Sequence, residues 1–391
     1  MMQKWLVVGM LIAVIIAGCI NKENRTNETI ETVNQTKLDD IKIGVLVTQT
    51  GGLGPIGEGM ANGAKLAARE INKEGINGRN VTLIIEDTAT NPATAAEAAK
   101  KLIEVDKVQV IIGGVASSET LAVAPMADKS KIVLISPSST APSVTDAGEY
   151  VFRVIGSDKL QGEAIARLAV AKNFTRPAML VENNDYGIGI EKVFREKFEG
   201  ISISSIKYEK GKADYRTELN AIKQVNPDVI IYAGYPAEAS TILQQTKQLG
   251  LKTKWIAAEG IADPVMFEND DVAAQMEGMY LTRPSSPEDN PEYQNFKKLY
   301  REAFGKDPGI YSDTEFDAIM LAAEAIKEVG NEGEKIKNVL PAVSRKYKAV
   351  TGDKAFDANG DVQQDYTVFE VKNRTMVTIG NWSLSSGIKL Q

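Results

Sequence analysis

Ile41-Lys42-Ile43-Gly44-Val45-Leu46-Val47 leads through Thr48-Gln49-Thr50-Gly51 into Gly52-Leu53-Gly54-Pro55-Ile56-Gly57. The first seven residues form an apolar, β-branched run, which reads as a strand. The glycines read as a turn. A helix follows over about 60–72, with Ala64, Leu66, Ala67 and Ile71 on its apolar side. The same alternation continues outward. Residues 81–86 read as a strand, and 93–105 as an Ala-rich helix entered through Asn91-Pro92. Residues 108–112 and 132–135 read as strands, and Ser117-Ser118 as the cap of the helix between them. Near-continuous apolar strands separated by amphipathic helices imply a parallel sheet covered on both faces. The rhythm restarts with strands at 178–182, 202–208, 229–233 and 255–258, and helices at 188–198, 217–225 and 237–249. The chain therefore carries two α/β units. Ligands of such units bind beyond the carboxyl ends of the strands, so two facing units would make a cleft.

The Gly-rich segment matches G-x-G-x-x-G between a strand and a helix, the setting of a dinucleotide fingerprint. Pro55 interrupts the tight turn that this chemistry needs, and the acidic pair Glu86-Asp87 stands about 30 residues beyond Gly57 rather than about 20. The segment reads instead as a flexible loop that brings backbone close to a bound solute.

With 391 residues the chain can build two full cores, and 43% apolar with 25% charged residues is the balance of a globular protein. A net charge of −7 gives no basic surface for nucleic acid. The chain has no histidine, which excludes Ser-His-Asp and Cys-His sites and removes the commonest zinc ligand. There is no G-x-S-x-G and no acidic cluster at metal spacing, so neither an enzyme, nor a metal, nor a cofactor is expected.

The N-terminus reads as a leader. Lys4 precedes an apolar run over roughly 6–17, short of the about 20 residues a membrane span requires. It ends in Ile16-Ala17-Gly18-Cys19, which resembles a lipobox. Residues 1–18 are then a lipoprotein signal peptide, and the only cysteine, Cys19, carries lipid. An uncleaved N-terminal anchor is the other reading, and both place the body outside the cytoplasm. Residues 19–39 are polar and read as a tether.

The ordered marks along the body resemble the branched-chain amino-acid binding proteins of ABC importers, the type I periplasmic binding family. They are Asn62-Gly63-Ala64, Ile71-Asn72, Gly75-Ile76-Asn77-Gly78, Ile135-Ser136-Pro137-Ser138-Ser139-Thr140, Phe152-Arg153 before Asp158 and Gln161-Gly162, Asp185-Tyr186-Gly187-Ile188-Gly189, and Gly250-Leu251 before Glu259-Gly260. Each is weak alone, but their order and spacing are specific. The resemblance implies two lobes, each a parallel sheet flanked by helices, with crossovers near 155–158, 281–284 and 361–366. Lobe 1 would comprise 40–155 and 283–363, and lobe 2 would comprise 156–282 and 364–391. Hinges of this kind let lobes close on a ligand.

The resemblance also implies a site for a zwitterion. Ser117, at a helix N-terminus, and Thr140 would hold the carboxylate. Ser138 would offer its carbonyl, and Glu259 its carboxylate, to the ammonium. Tyr186 and Tyr235 would close over the ligand from lobe 2, and Tyr311 would stand near its side chain. Ile56 replaces a frequent aromatic residue, which changes the pocket width. Ala89 and Ala116 occupy the positions of a disulfide found in some relatives. The implied function is capture of an amino acid, first Leu, Ile or Val, for delivery to an ABC permease by a monomer. A ligand-sensing receptor subunit, or a binder of an amide or aromatic acid, remains the alternative; an exported α/β enzyme is a third.

Overall fold

The computed structural model describes residues 38–391 except 202. The leader, Cys19 and the tether up to residue 37 lie outside the described residues. The chain begins with β1 (Ile41–Val47), α1 (Gly54–Ile71), β2 (Val81–Asp87), α2 (Pro92–Glu104), β3 (Val110–Ile112), α3 (Ser117–Ser130), β4 (Val133–Ser136) and β5 (Val151–Arg153). These strands form a parallel sheet in the order β2-β1-β3-β4-β5. Alternate strand residues enter different cores. Val45, Val47, Val110 and Ile135 face the core shared with α1 and two later helices over 312–329 and 333–344, whereas Leu46, Ile111 and Leu134 pack with Ala95, Leu102 and Val123 of α2 and α3. Both faces are buried, which is why these strands read as unbroken apolar runs.

Two local expectations are corrected. The helix expected from about residue 60 starts at Gly54, with Pro55 in its first turn, where a fixed φ and a missing N–H cost nothing. Gly57 and Gly63 are there for close approach rather than flexibility. A methyl group at Gly57 would overlap the Thr48 carbonyl, and one at Gly63 the Ser312 carbonyl. Ser117-Ser118 do not cap α3. The cap position is Ala116, and the buried Glu119 carboxylate takes the N–H groups of Val115 and Ala116, each at 3.0 Å.

The chain then forms α4 (Asp158–Ala171), β6 (Pro177–Glu182), α5 (Asp185–Lys197), β7 (Ser204–Tyr208), α6 (Arg216–Val225), β8 (Val229–Ala233), α7 (Pro236–Gln248), β9 (Lys254–Ala257), α8 (Asp270–Met276) and β10 (Tyr280–Pro284). It returns to the first sheet with α9 (Pro291–Phe304), α10 (Ser312–Val329) and α11 (Gly333–Ser344), and α10 lies on α1. It ends with β11 (Tyr366–Lys372), β12 (Thr375–Ser383) and β13 (Gly387–Leu390). The second sheet runs β13-β12-β11-β10-β9-β8-β6-β7. From β10 to β7 its pairs are parallel, but β11, β12 and β13 are antiparallel. The second lobe is thus mixed, not purely parallel; short turns join β11, β12 and β13, and parallel pairing among these would need a long crossover.

The chain passes between the sheets after β5, after β10 and before β11. Gly156 pairs with Val362, and Gln364 donates to the Ser285 carbonyl at 3.2 Å, so the three passages lie side by side.

Candidate functional site

All eight residues singled out for the solute line one small cavity between the two lobes. Each stands beyond the carboxyl end of a strand or at the start of a helix. Ile56 lies in the first turn of α1, Ser117 opens α3 after β3, and Ser138 and Thr140 follow β4. Tyr186 begins α5, Tyr235 precedes α7, Glu259 follows β9, and Tyr311 precedes α10. Leu53, Val115 and Gly260 complete the lining. Leu53 and Gly260 stand in motifs already quoted but with no role of their own, and Val115 carries no local signal.

The lining separates into a polar end and apolar walls. Ser117 Oγ accepts the N–H of Ala141 at 3.1 Å, which leaves its own proton free to donate. Ser138 Oγ donates to the Val115 carbonyl at 2.9 Å. Tyr186 OH accepts the N–H of Gly260 at 3.2 Å, and its ring stacks on Tyr235 with centroids 5.4 Å apart and 12° between planes. Glu259 is 1% exposed, Oε1 takes a long hydrogen bond from Thr140 Oγ1 at 3.4 Å, and Oε2 has no partner. Burial pushes its carboxyl up to about 7, against the opposing pull of its own N–H and of the nearby Tyr311, Thr140 and Tyr186 hydroxyls.

Thr140 is held from behind. The fully buried Arg153 donates Nη1 to the carbonyls of Ser139, Thr140 and Ala141 at 3.3, 3.1 and 3.0 Å. Its other face makes a two-point pair with Asp361 at 2.6 and 2.7 Å. The loop after β4 is thus tied to the third passage between lobes. Asp158 donates its N–H to the Thr140 carbonyl at 2.7 Å. Asp158 enters the sequence reading only through its spacing from Phe152-Arg153, a pattern that says nothing of its burial.

A buried acid on one lobe, hydroxyls on the other, aromatic faces between and three passages behind define a two-lobed solute-binding protein. The chain belongs to the periplasmic binding protein family, which it matches over residues 40–375. It is 29% identical over 345 residues to the leucine-, isoleucine-, valine-, threonine- and alanine-binding protein of Pseudomonas aeruginosa, covering 85% of this chain and 90% of that one. Its fold superposes on a leucine-binding protein from Thermotoga maritima with a TM-score of 0.82 at 31% identity, covering 88% of this chain and 99% of the other. A branched-chain amino-acid transporter binding protein from Streptococcus pneumoniae, solved with isoleucine, gives 0.78 at 26% identity, covering 87% and 99%.

Proposed function

We propose that the protein captures a branched-chain amino acid between its lobes and delivers it to an ABC permease, while lipid on Cys19 holds it at the outer face of the membrane. The observation that carries the reading is Glu259, a buried carboxylate whose Oε2 lacks a partner at the polar end of the cavity. Burying an unpaired carboxylate is costly, and an α-ammonium group supplies the missing charge and donors. The Ser117 and Thr140 hydroxyls suit the ligand's carboxylate. Leu53, Ile56, Val115 and the tyrosine rings suit an aliphatic side chain. The amino acids named for the relatives agree with this division.

Calorimetry on purified protein, unfolded and refolded first to strip any carried ligand, tests the reading. Leucine, isoleucine and valine should bind, and absence of heat with every α-amino acid overturns it. Glu259→Gln should weaken leucine by about 2 kcal/mol or more, the usual cost of breaking a buried charge pair. It should change 4-methylpentanoate, which lacks the amino group, far less. Equal losses for the two would remove Glu259 from the ammonium site.

A further inference from the structure

A second buried carboxylate lies beside Glu259. Asp158, in the first turn of α4, is 0% exposed, and neither of its side-chain oxygens has a hydrogen-bond partner. With Glu259 Oε2, three of the four oxygens of the two acids are unpartnered. Thr140 links them: its carbonyl takes the Asp158 N–H at 2.7 Å, and its single hydroxyl proton points to Glu259 at 3.4 Å.

The groups facing this pair supply no spare positive charge. Arg153, reaching in from β5, is matched by Asp361, and its remaining N–H groups are taken by Thr145 and the carbonyls of residues 139–141. The other titratable neighbours are the hydroxyls of Tyr186 from α5, Tyr235 ahead of α7, Tyr311 ahead of α10 and Tyr366 from β11. Burial keeps all four neutral. Two like charges without a counter-ion are unfavourable in a medium of low dielectric, and one bound proton relieves them. Burial first, and the charge of Glu259 second, hold the Asp158 carboxyl well above the usual range.

Resting on the amino-acid reading, we propose that Asp158 and Glu259 share one proton in the ligand-free protein and that the incoming ammonium group displaces it to solvent. The O–H bond of the shared acid breaks, its proton passes to water, and the ammonium N–H groups pair with Glu259, which lines the cavity, while the ammonium's charge replaces the proton's for Asp158 behind it. The two acids with the ammonium then carry the same −1 as the two acids with their shared proton, and the ligand's carboxylate is held apart from them at the start of α3. Solute capture is thereby coupled to proton release, so affinity must fall as pH falls. The chain has no histidine to release a proton in its place. Other buried acids are raised too: Glu182 to about 8 by burial and then by Glu238, and Glu119 and Glu315 by burial.

The test is calorimetry of L-leucine binding near pH 7 in buffers of different ionisation enthalpy. The slope of heat against that enthalpy counts protons, and between about 0.5 and 1 proton should be released per leucine bound. Affinity should weaken from pH 8 towards pH 5, by at most about tenfold per unit. Asp158→Asn, which leaves one acid with no like charge beside it, should lower the proton count below that of the unaltered protein, to what Glu259 releases through its own burial, while Glu182→Gln should leave it unchanged. Leucine binding with the same heat in every buffer and a flat pH profile overturns the inference and leaves the function standing. So does an Asp158→Asn protein that releases as many protons as before. If that variant does not fold, the buffer series on the unaltered protein decides. Absence of binding by any amino acid overturns the function itself, and the inference with it.

Discussion

Asp263, in the turn after Glu259, accepts the backbone N–H of Ile310 at 2.8 Å, which joins the second lobe to the first beside Tyr311. Its other oxygen takes the N–H of Val265 at 2.9 Å and so caps the turn it belongs to. The carboxylate therefore belongs to one lobe by its cap and to the other by its contact. Asp263→Ala should speed leucine release about tenfold, the effect of losing one charge-assisted hydrogen bond made only when the lobes meet. The loss should be equal for leucine and 4-methylpentanoate, because the contact touches neither end of the ligand. Stopped-flow release measures this, and an unchanged rate would show that Asp263 takes no part in closure.

Arg153 and Asp361 predict a different response. Arg153→Met would strip three loop carbonyls and the Asp361 carboxylate of their donors at once. A buried pair broken on one side typically costs about 3–5 kcal/mol. Denaturant unfolding should show that loss, and leucine affinity should fall as Thr140 loses its support. Arg153→Lys should not restore stability, because one ammonium cannot reach both Asp361 oxygens and the carbonyls together.

Glu182 makes stability depend on pH. Its carboxyl is raised from 4.5 to about 8, by burial and then by Glu238, and its Oε2 has no partner. The native state therefore keeps a proton that the unfolded chain has lost between those values. Stability contributed by the protonated form is complete below pH 4.5 and declines as pH rises to about 8. Glu182→Gln should flatten this decline, so its advantage over the parent should grow between pH 5 and pH 9 in urea titrations. A constant difference would place the proton elsewhere.

Cys19→Ser tests the proposed lipid anchor apart from the site. The variant should partition away from membranes yet bind leucine with unchanged affinity, since the cavity is built wholly from residues 53–311. Fractionation and calorimetry on one preparation check both halves.

Much of the fold was legible because burial on both faces writes strands as apolar runs, as in Ile41–Val47 and Val229–Ala233. The terminal hairpins were not. Thr375–Ser383 is half exposed and carries Thr, Gly and Asn among its apolar residues, so no continuous run marks it. The early start of α1 was hidden for another reason. Gly54, Gly57 and Gly63 disfavour a helix locally, and only the carbonyls of Thr48 and Ser312, distant in sequence, explain two of them. In the cavity, residues belonging to ordered motifs could be named in advance. Asp158 stands in one of those motifs but behind the cavity, and its place beside Glu259 could not be read, because the passages between lobes create its isolation from donors.

Those passages also govern when the protein can fold. The core beneath β1 is completed by Ala318, Ile319 and Ala322 of α10, and the second sheet by β11, which pairs with β10 across the whole of α9–α11. Neither lobe can therefore reach its final form from the first half of the chain. Contacts so distant in sequence form slowly. The body therefore reaches its final form only when the chain is present as far as β11.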